Sequence, residues 1–363
     1  MPPQPPVDMS GERARLLERA HLACGRLDSI SALLANPDLF LYMYVRREAV
    51  LSSQIEGTQS SLSDLLVSEV EGAPGAPFED VVEVSNYVKA LEHGVQRMKE
   101  GFPLSGRLIR EIHGVLLGSG RGSNLDPGYF RTSQNWIGGT RPGNAHFVPA
   151  PHAEVPTAVG DLEKFMNLEG YEQGPLIRAA LCHAQFETIH PFLDGNGRTG
   201  RLLIILLMIK DQLLENPLLY LSLYLKENRE EYYRLLDATR TEGDWETWVE
   251  FFLHGVVTTA DQAVVTTRRI REVFEVDIAK LQNLPRGGGI ALQVLLSLQK
   301  KPVTSVQLIT EGFNVSFPTA NRAIQTLEKL EIIDEITGRR RDRIYAYKDY
   351  LAILSEGGEP IRR

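Results

Sequence analysis

One polar, glycine-rich segment interrupts the most regular helical pattern of the chain. Apolar residues recur every three or four positions in residues 176–189 and again in residues 201–214, which is the spacing of helices. The segment HPFLDGNGRTGR, residues 190–201, lies between them. Residues 245–257 repeat the helical spacing. The chain is therefore predicted to be mainly α, with a helix–loop–helix near its centre.

Composition and charge exclude several protein classes. The 363 residues are 43% hydrophobic and 24% charged, as in globular proteins of two or three domains. The net charge of −8 argues against electrostatic capture of nucleic acid or of an anionic membrane. The start of the chain does not resemble a signal peptide, no apolar run is long enough to span a bilayer, and two cysteines cannot build a disulfide framework. We expect a cytoplasmic protein with no membrane contact.

A change in composition near residue 286 predicts a domain boundary. The Pro/Gly-rich stretch LPRGGG, residues 284–289, is typical of a linker, and the net charge is −11 before residue 286 and +3 from residue 286 onward. Beyond it the spacing predicts three helices, the third with Ser316 as N-cap and Pro318 in its first turn. Two short strands follow, residues 332–336 and 344–347, joined by the arginine-rich turn TGRRRD. This order is a winged-helix pattern.

A β-hairpin is predicted inside the helical part. The short runs NWIGG (residues 135–139) and AHFVPAP (residues 145–151) flank TRPGN, whose Pro-Gly-Asn favours a tight turn.

The central segment supplies a base and a metal ligand. His190 has an imidazole whose ordinary pKa near 6.5 suits proton transfer at neutral pH. Asp194 offers the hard oxygen that Mg²⁺ prefers. Each residue alone is more often structural, so the prediction depends on their occurring together.

The same segment also supplies groups that bind anions. Gly195, Asn196 and Gly197 can expose backbone N–H groups at a helix start, where the helix dipole favours an anion. Arg198 and Arg201 provide forked cations for phosphate oxygens. Base, metal ligand, anion site and arginines together predict phosphoryl or nucleotidyl transfer.

Residues 190–201 match the Fic family signature H-P-F-x-[D/E]-G-N-G-R-x-x-R at every fixed position. The segments GYFRTSQNWIGG, LYLSLYLKENREEYYRLL and GDWETWVEFF also resemble bacterial Fic proteins that carry a C-terminal winged helix. The resemblance covers roughly residues 40–260 well. It implies a Fic-type helical core with a β-hairpin flap, plus an α+β winged-helix domain. The implied divisions are an N-terminal helical region (residues 1–100), the Fic core (residues 101–260), a connecting helix or linker (residues 261–285) and the winged helix (residues 286–354).

The resemblance implies a protein adenylyltransferase that uses ATP and Mg²⁺. His190 would take the proton of a Ser, Thr or Tyr hydroxyl of a target protein, and Asp194 would hold the metal. The implied nucleotide-binding residues are Gly195, Asn196, Gly197, Arg198, Thr199, Gly200, Arg201, Tyr232 and Tyr233. The two tyrosines would line the adenine pocket with a contribution from Arg240, although such an aromatic pair is more often part of a core.

The predicted hairpin resembles the family's flap, which holds the extended backbone of a target by β-augmentation. The implied flap residues are Ile137, Gly138, Gly139, His146, Phe147 and Val148. The structural alternative is that Trp136 and Phe147 cover the helical core, and both can hold at once.

Upstream, LSSQIEGT (residues 51–58) resembles the family's inhibitory sequence [S/T]-x-x-x-E-[G/N]. Ser52 and Glu56 lie four residues apart on one helix face, and Gly57 is a helix-end signal. The resemblance implies an inhibitory helix at about residues 48–57 in which Glu56 pairs with Arg201 at the site of the ATP γ-phosphate. By itself this pattern is common and is usually a solvated helix end.

Other functions remain open from the sequence. The same core could remove AMP or transfer another phosphate-linked group, or the chain could be a DNA-binding regulator with a nucleotide-sensing domain. The balance of only +3 after residue 286 argues against DNA binding, for which Ser316, Thr319, Asn321, Arg322 and residues 339–343 are the candidates. Self-modification and a homodimer are compatible with the resemblance.

His113 and His183 are interpreted as packing residues, and neither a zinc-site spacing nor a P-loop occurs.

Overall fold

The structure, a computed structural model, describes residues 3–32, 37–71, 78–214, 218–284 and 288–360. Within these ranges the chain forms fifteen α-helices, two short 3-10 turns and one three-stranded sheet, so the prediction of a mainly α protein is confirmed. The N-terminal helices are α1 (Glu12–Ala32), α2 (Pro37–Ile55), α3 (Leu62–Glu71) and α4 (Phe78–Lys99).

Seven further helices form the central part. They are α5 (Gly106–Leu116), α6 (Val155–Met166), α7 (Gly174–Ile189), α8 (Asn196–Lys210), α9 (Ser222–Glu227), α10 (Arg229–Thr241) and α11 (Trp245–Gln282). The predicted helix at residues 201–214 begins five residues earlier and ends four residues earlier, because the polar residues 196–200 already form its first turn.

Helices α7 and α8 form the centre of the core. Both are buried around their whole circumference, and residues 202–208 of α8 are each at most 3% exposed. A helix that is apolar on all sides is stable only when other helices surround it. Helices α4 and α5 pack on α8, and α6, α10 and α11 pack on α7. This packing places the α7–α8 loop, residues 190–195, on a rigid support.

Helix α11 is much longer than the predicted segment 245–257. Asp244 caps it by accepting a hydrogen bond from the Thr247 N–H at 3.1 Å, and α1 lies along it. Near its start, Trp248 donates from Nε1 to the Ala180 carbonyl of α7 at 2.9 Å. Near its end, Asp277 accepts from the Tyr347 hydroxyl at 3.0 Å. One continuous helix thus contacts both the centre of the core and the C-terminal part of the chain.

The C-terminal region, residues 288–360, combines four helices with a small sheet. The helices are α12 (Ile290–Leu298), α13 (Val306–Phe313), α14 (Phe317–Lys329) and α15 (Lys348–Ser355), and the strands are β1 (Val303–Ser305), β2 (Ile333–Glu335) and β3 (Ile344–Tyr347). The sheet is antiparallel in the order β1-β3-β2, with Val303 opposite Ala346 and Ile333 opposite Tyr347.

Strand β1 and helix α15 were not predicted from the sequence. Strand β1 is only three residues long, too short to show a period, and α15 follows β3 without an intervening turn signal. Residues 339–343 of the β2–β3 turn are all exposed. The winged-helix assignment and the domain boundaries stay predictions, and residues 285–287 of the predicted linker lie outside the described residues. Over the described ranges, no helix combines the length and the apolar character needed to cross a bilayer.

Candidate active site

The α7–α8 loop is fixed by its backbone conformation. His190 ends α7 in the left-handed region, with φ 49°, and Pro191 follows it. Gly195, with φ 74°, precedes α8 in the same region, which glycine adopts at little cost. The Asn196 side chain closes the loop, since it accepts from the Phe192 N–H and donates to the Phe192 carbonyl, both at 2.9 Å.

The start of α8 presents main-chain donors. The N–H of Gly195 already donates to Asp194 Oδ1 at 2.7 Å. The N–H groups of Asn196, Gly197 and Arg198 lie in the first turn, where a helix has no acceptor for them. Together with the helix dipole they form an anion-binding cradle, a name we keep for residues 196–198.

Thr199 and Gly200 contribute packing rather than open ligand groups. The Thr199 hydroxyl donates to the Gly195 carbonyl at 2.9 Å. Gly200 lies so close to α7 that a Cβ there would overlap the Glu187 carboxylate. The structure thus gives these two residues of the predicted binding set a role in holding α8 in place.

Arg198 is paired with the N-terminal helices. It lies 2.8 Å from Glu83 of α4, with both side chains 3% exposed, and 3.8 Å from Asp194. Burial raises the pKa of Glu83 although Arg198 opposes that change. The sequence analysis missed Glu83, since a single acidic residue in a helix gives no signal of its own.

Arg201 is held by the end of α2. Its Nε donates to Ser52 Oγ at 2.8 Å, and its Nη2 donates to the Ser52 carbonyl at 3.0 Å and to Glu56 Oε1 at 2.7 Å. Burial opposes the Arg201 charge, but Glu56 outweighs it and raises the pKa of the guanidinium. The structure therefore brings together the predicted pair.

Glu56 covers the cradle. Helix α2 ends at Ile55, so Glu56 lies one residue beyond the helix rather than within it as predicted, and Gly57 turns the chain with φ 101°. The Glu56 carboxylate lies where a Cβ of Gly197 would be. Burial would raise the pKa of Glu56, but Arg201, with Arg198 and His190, lowers it, so the carboxylate is charged.

His190 is half-buried and neutral at physiological pH. Burial first, then the positive charge of Arg240, lowers its pKa to about 4, while the Glu187 carbonyl and Glu56 oppose that change. Arg131, 2% exposed, holds the backbone of this residue, because its Nε donates to the His190 carbonyl at 2.9 Å. The sequence analysis missed Arg131, whose partners are all backbone carbonyls.

Asp194 is suited to a Mg²⁺ ion whose other ligands are phosphate oxygens and water. A third of its side chain is exposed, and its Oδ1 accepts a hydrogen bond from the Gly195 N–H. Within the described ranges no group of three or more His, Cys, Asp or Glu side chains surrounds a point. Residues 190–195 contain one carboxylate, so this loop would offer Mg²⁺ that of Asp194. That is how Mg²⁺ is bound when phosphates and water complete its shell.

His113 and His183 are buried in packed positions. His113 accepts from the Gly128 N–H at 2.9 Å and lies 3.0 Å from the Asp194 carbonyl, and its ring stacks on Phe192 at 3.7 Å. His183 lies 2.8 Å from the Tyr232 hydroxyl. Burial lowers the pKa of both, to about 4 for His113 and about 3 for His183.

The predicted tyrosine pair is divided between core and surface. Tyr232 is 1% exposed and packs beside Trp248, whereas Tyr233 is 40% exposed with its ring 5.0 Å from that of Tyr232. Tyr233 is therefore the member of the pair that is open to a ligand.

The predicted hairpin is reduced to a single antiparallel bridge. Ile137 donates to the Phe147 carbonyl at 2.8 Å and accepts from the His146 N–H at 2.9 Å. Gly138 and Gly139 both have positive φ, and a Cβ at Gly138 would strike the His146 ring.

The far side of the hairpin lies against the active site. The Arg240 guanidinium stacks 4.2 Å from the Phe147 ring centroid and donates to the Thr188 hydroxyl at 3.2 Å. Trp136 and Val148 are 38% and 41% exposed, so neither is core packing.

Two family models match the chain. Residues 14–96 match the Fic/DOC family N-terminal model, and residues 103–208 match the Fic/DOC family model. Among curated relatives, protein adenylyltransferase fic-1 of Caenorhabditis briggsae is 33% identical over 220 residues, which are 58% of this chain and 38% of that protein. Protein adenylyltransferase Fic of Drosophila melanogaster is 33% identical over 147 residues, 39% of this chain and 26% of that protein. The chain thus spans less than half the length of these relatives.

Solved structures share the fold. A Fic family protein from Desulfovibrio desulfuricans G20 aligns over 96% of this chain and 99% of its own, with a TM-score of 0.62 and 21% identity. A segment of Fic-1 from Caenorhabditis elegans aligns over 70% of this chain and 72% of its own, with a TM-score of 0.54 and 24% identity. With both family models matched and the signature loop in place, the chain belongs to the Fic/DOC family.

Proposed function

We propose that this chain is a protein adenylyltransferase that transfers AMP from ATP to a Ser, Thr or Tyr hydroxyl of a target protein. The observation that carries the proposal is that a neutral imidazole, His190, stands six residues before the anion-binding cradle on one rigid loop. The curated relatives named protein adenylyltransferase support it.

The reaction uses the loop in two ways. The cradle binds phosphate oxygens through main-chain N–H groups, and His190 accepts the proton of the target hydroxyl as its oxygen bonds to the α-phosphorus. The bond from the α-phosphorus to the bridging oxygen breaks, and diphosphate leaves. Asp194 would hold Mg²⁺, which neutralises phosphate charge when bound.

The described conformation is an inhibited one in this proposal. Glu56 pairs with Arg201 and lies against Gly197, so a triphosphate would compete with the carboxylate for the Arg201 guanidinium and for the space beside Gly197. Nucleotide binds productively only when Glu56 moves away.

The hairpin is the proposed target-binding flap. Its exposed residues Trp136 and Val148 border the Ile137–Phe147 bridge, where an extended target could add main-chain hydrogen bonds. Arg240 ties the flap to α7, which carries His190.

Incubation with α-labelled ATP tests the proposal. We expect Glu56→Gly to incorporate label into itself or into lysate proteins, and Glu56→Gly/His190→Ala to incorporate at least a hundredfold less. Mass measurement must show a gain of AMP, since release of AMP from a modified protein or transfer of another group would indicate the alternative chemistry. No label with Glu56→Gly would refute transfer.

The exposed arginines of the β2–β3 turn favour DNA binding as a second candidate activity. Against it, residues 288–360 carry nine basic and nine acidic side chains. Titration of a labelled DNA duplex with the protein at low and at higher salt tests DNA binding, because contacts with phosphates make the affinity fall steeply as salt is added. No binding at low salt would exclude it.

The proposed location is the cytoplasm of a bacterium. Cys24 and Cys182 are separate buried thiols, which is compatible with a reducing compartment. A homodimer stays a prediction.

A further inference from the structure

The chain that follows α15 returns to the helix that ends beside Glu56. Residues 356–359, which we call the clasp, cross the last two turns of α2. Arg47 Nη2 donates to the Glu356 carbonyl at 2.9 Å, and Gln54 Nε2 donates to the Gly358 carbonyl at 2.9 Å. Gln54 is only two residues from Glu56.

Lys226 of α9 joins the clasp to α2. Its ammonium group donates to Gln54 Oε1 at 2.7 Å, to the Gly357 carbonyl at 3.0 Å and to the Glu359 carbonyl. An ammonium has three donors, and all three are used here. The lysine is half-buried, and this burial lowers its pKa although Glu359 opposes that change.

Gln54 transmits this connection to the turn that carries Glu56. Its amide also donates to the Ser60 carbonyl at 2.9 Å, while the Ser53 carbonyl accepts from the N–H groups of Glu56 and Thr58. Gln54 is 1% exposed, so its amide group has few alternatives to these partners. The position of residues 56–60 therefore depends on the Gln54 side chain and on what holds it.

The clasp is also tied to the long helix α11. Arg269 donates from both Nη atoms to the two oxygens of Glu356, each at 2.7 Å. Helix α15 packs on α11 and on α2 just before the clasp begins. A displacement of α15 would therefore pull on Gln54 and on the turn beyond it.

The contacts of the clasp are polar and largely at the surface. Apart from Gly357 against the Leu223 side chain, they are hydrogen bonds to backbone carbonyls and one ion pair whose two side chains are about half exposed. Glu356 and Glu359 are exposed, so release of residues 356–359 alone, with α15 kept in place, would free mainly polar groups, which suits a reversible contact.

We propose that residues 356–359 and Lys226 form a clasp that positions Glu56 against Arg201, so that movement of the C-terminal region controls access of nucleotide to the cradle. Lys226 is a positioning residue in this device and touches no reacting atom. The inference rests on the proposed function, in which Glu56 blocks the nucleotide.

Two variants of the full protein test the clasp. Lys226→Met removes the donors but keeps the stem, and a stop after Ser355 removes the clasp itself. Lys226→Arg restores donors, Lys300→Met is a matched control at an exposed lysine, and a stop after Pro360 controls for shortening the chain. Hydrogen exchange of residues 51–60 is measured without nucleotide, and self-incorporation of labelled AMP is measured separately.

We expect Lys226→Met and the stop after Ser355 each to speed exchange in residues 51–60 and to raise incorporation roughly tenfold, the size expected for lost charge-assisted hydrogen bonds. Lys226→Arg should recover most of the protection. In a Glu56→Gly background the same changes should add nothing, because the blocking carboxylate is already gone. Unchanged exchange in both clasp variants would overturn the inference.

The exchange measurement keeps the two proposals apart. If Glu56→Gly incorporates no label, the proposed function fails while exchange still reports the clasp. If Glu56→Gly is active and the clasp variants neither exchange faster nor incorporate more, the clasp alone is refuted.

Discussion

The Glu56 carboxylate lies against the main chain of Gly197, so closely that a Cβ on residue 197 would overlap it. The carboxylate thus occupies the space beside the Gly197 Cα while it pairs with Arg201. The proposed inhibition would therefore depend on both the shape and the charge of Glu56.

Removing the charge of Glu56 while keeping its shape separates these two effects. We expect Glu56→Gln to bind a non-hydrolysable ATP analogue at least tenfold more tightly, since the ion pair with Arg201 is lost. Glu56→Gly should gain more, because it also frees the space over Gly197. Calorimetric titration measures both, with exposed Glu230→Gln as the control. Equal affinity in wild type and Glu56→Gln would contradict a role for charge.

Arg131 should affect the rate of transfer more than nucleotide affinity. It donates to the carbonyls of His190, Ser133, Ala150 and Ile189, so it fixes the imidazole-bearing backbone without facing the cradle. In the Glu56→Gly background we expect Arg131→Gln to lower kcat roughly a hundredfold, as misplacement of a catalytic group does. The dissociation constant for ATP should stay within about twofold. Arg19→Gln, at an exposed arginine of α1, is the control, and a parallel loss of affinity in Arg131→Gln would count against this role.

The Arg198–Glu83 pair should matter for stability. Both side chains are 3% exposed, so Glu83→Ala leaves a buried guanidinium without its carboxylate. We expect a loss of about 3 kcal/mol in the free energy of unfolding. Glu231→Ala removes the exposed partner of Arg234 and should change it by less than about 1 kcal/mol. Urea unfolding measures the free energy of unfolding of both variants. Equal losses in Glu83→Ala and Glu231→Ala would show that the buried pair contributes no more to stability than the exposed pair.

His190 should titrate far below an ordinary histidine. Its pKa of about 4 means that the ring is neutral from pH 8 down to about pH 5. Glu56 raises this pKa, so Glu56→Gly should lower it further. NMR of labelled histidine rings, assigned with His190→Ala, measures the midpoint. A midpoint between pH 6 and 7 would mean that the ring is open to water.

Glu187 should make stability depend on pH. Burial raises its pKa to about 7 although Arg201 opposes that change. Because the pKa of Glu187 in the folded chain lies above its ordinary value of 4.5, this group stabilises the fold below about pH 4.5, and the contribution is lost as the pH rises through 7. When the pH is raised from 4.5 to 8, the free energy of unfolding of Glu187→Gln should therefore increase by about 3 kcal/mol relative to that of the wild type. Urea unfolding of both proteins at pH 4.5 and pH 8 measures this. A difference in the free energy of unfolding between variant and wild type that is the same at both pH values would contradict the prediction.

Much of the fold followed from local pattern. Helix α7 gave clear periodicity, α14 gave periodicity with the Ser316 cap signal, and a contiguous signature placed every group of residues 190–201. Glu56 was found because its short motif was weighed beside that loop. Contiguous groups can be recognised from sequence, since their relative positions are fixed by the chain itself.

The supporting residues could not be predicted in the same way. Glu83 and Arg131 act on the loop from 115 and 59 residues away, so only the packed fold brings them near it. Arg131 contacts backbone carbonyls, which every residue has, and so leaves no pattern in its partners. The division between Tyr232 and Tyr233 likewise depends on which face of α10 meets Trp248.

Helix α11 has 38 residues and is therefore about 57 Å long. Its first turns anchor in α7 through Trp248, and its last turns anchor in β3 through Asp277 and Tyr347. A rod of this length turns a tilt of a few degrees at one end into a shift of several ångströms at the other. A movement of the small sheet can therefore reach α7, the helix that ends at His190, through this one rod.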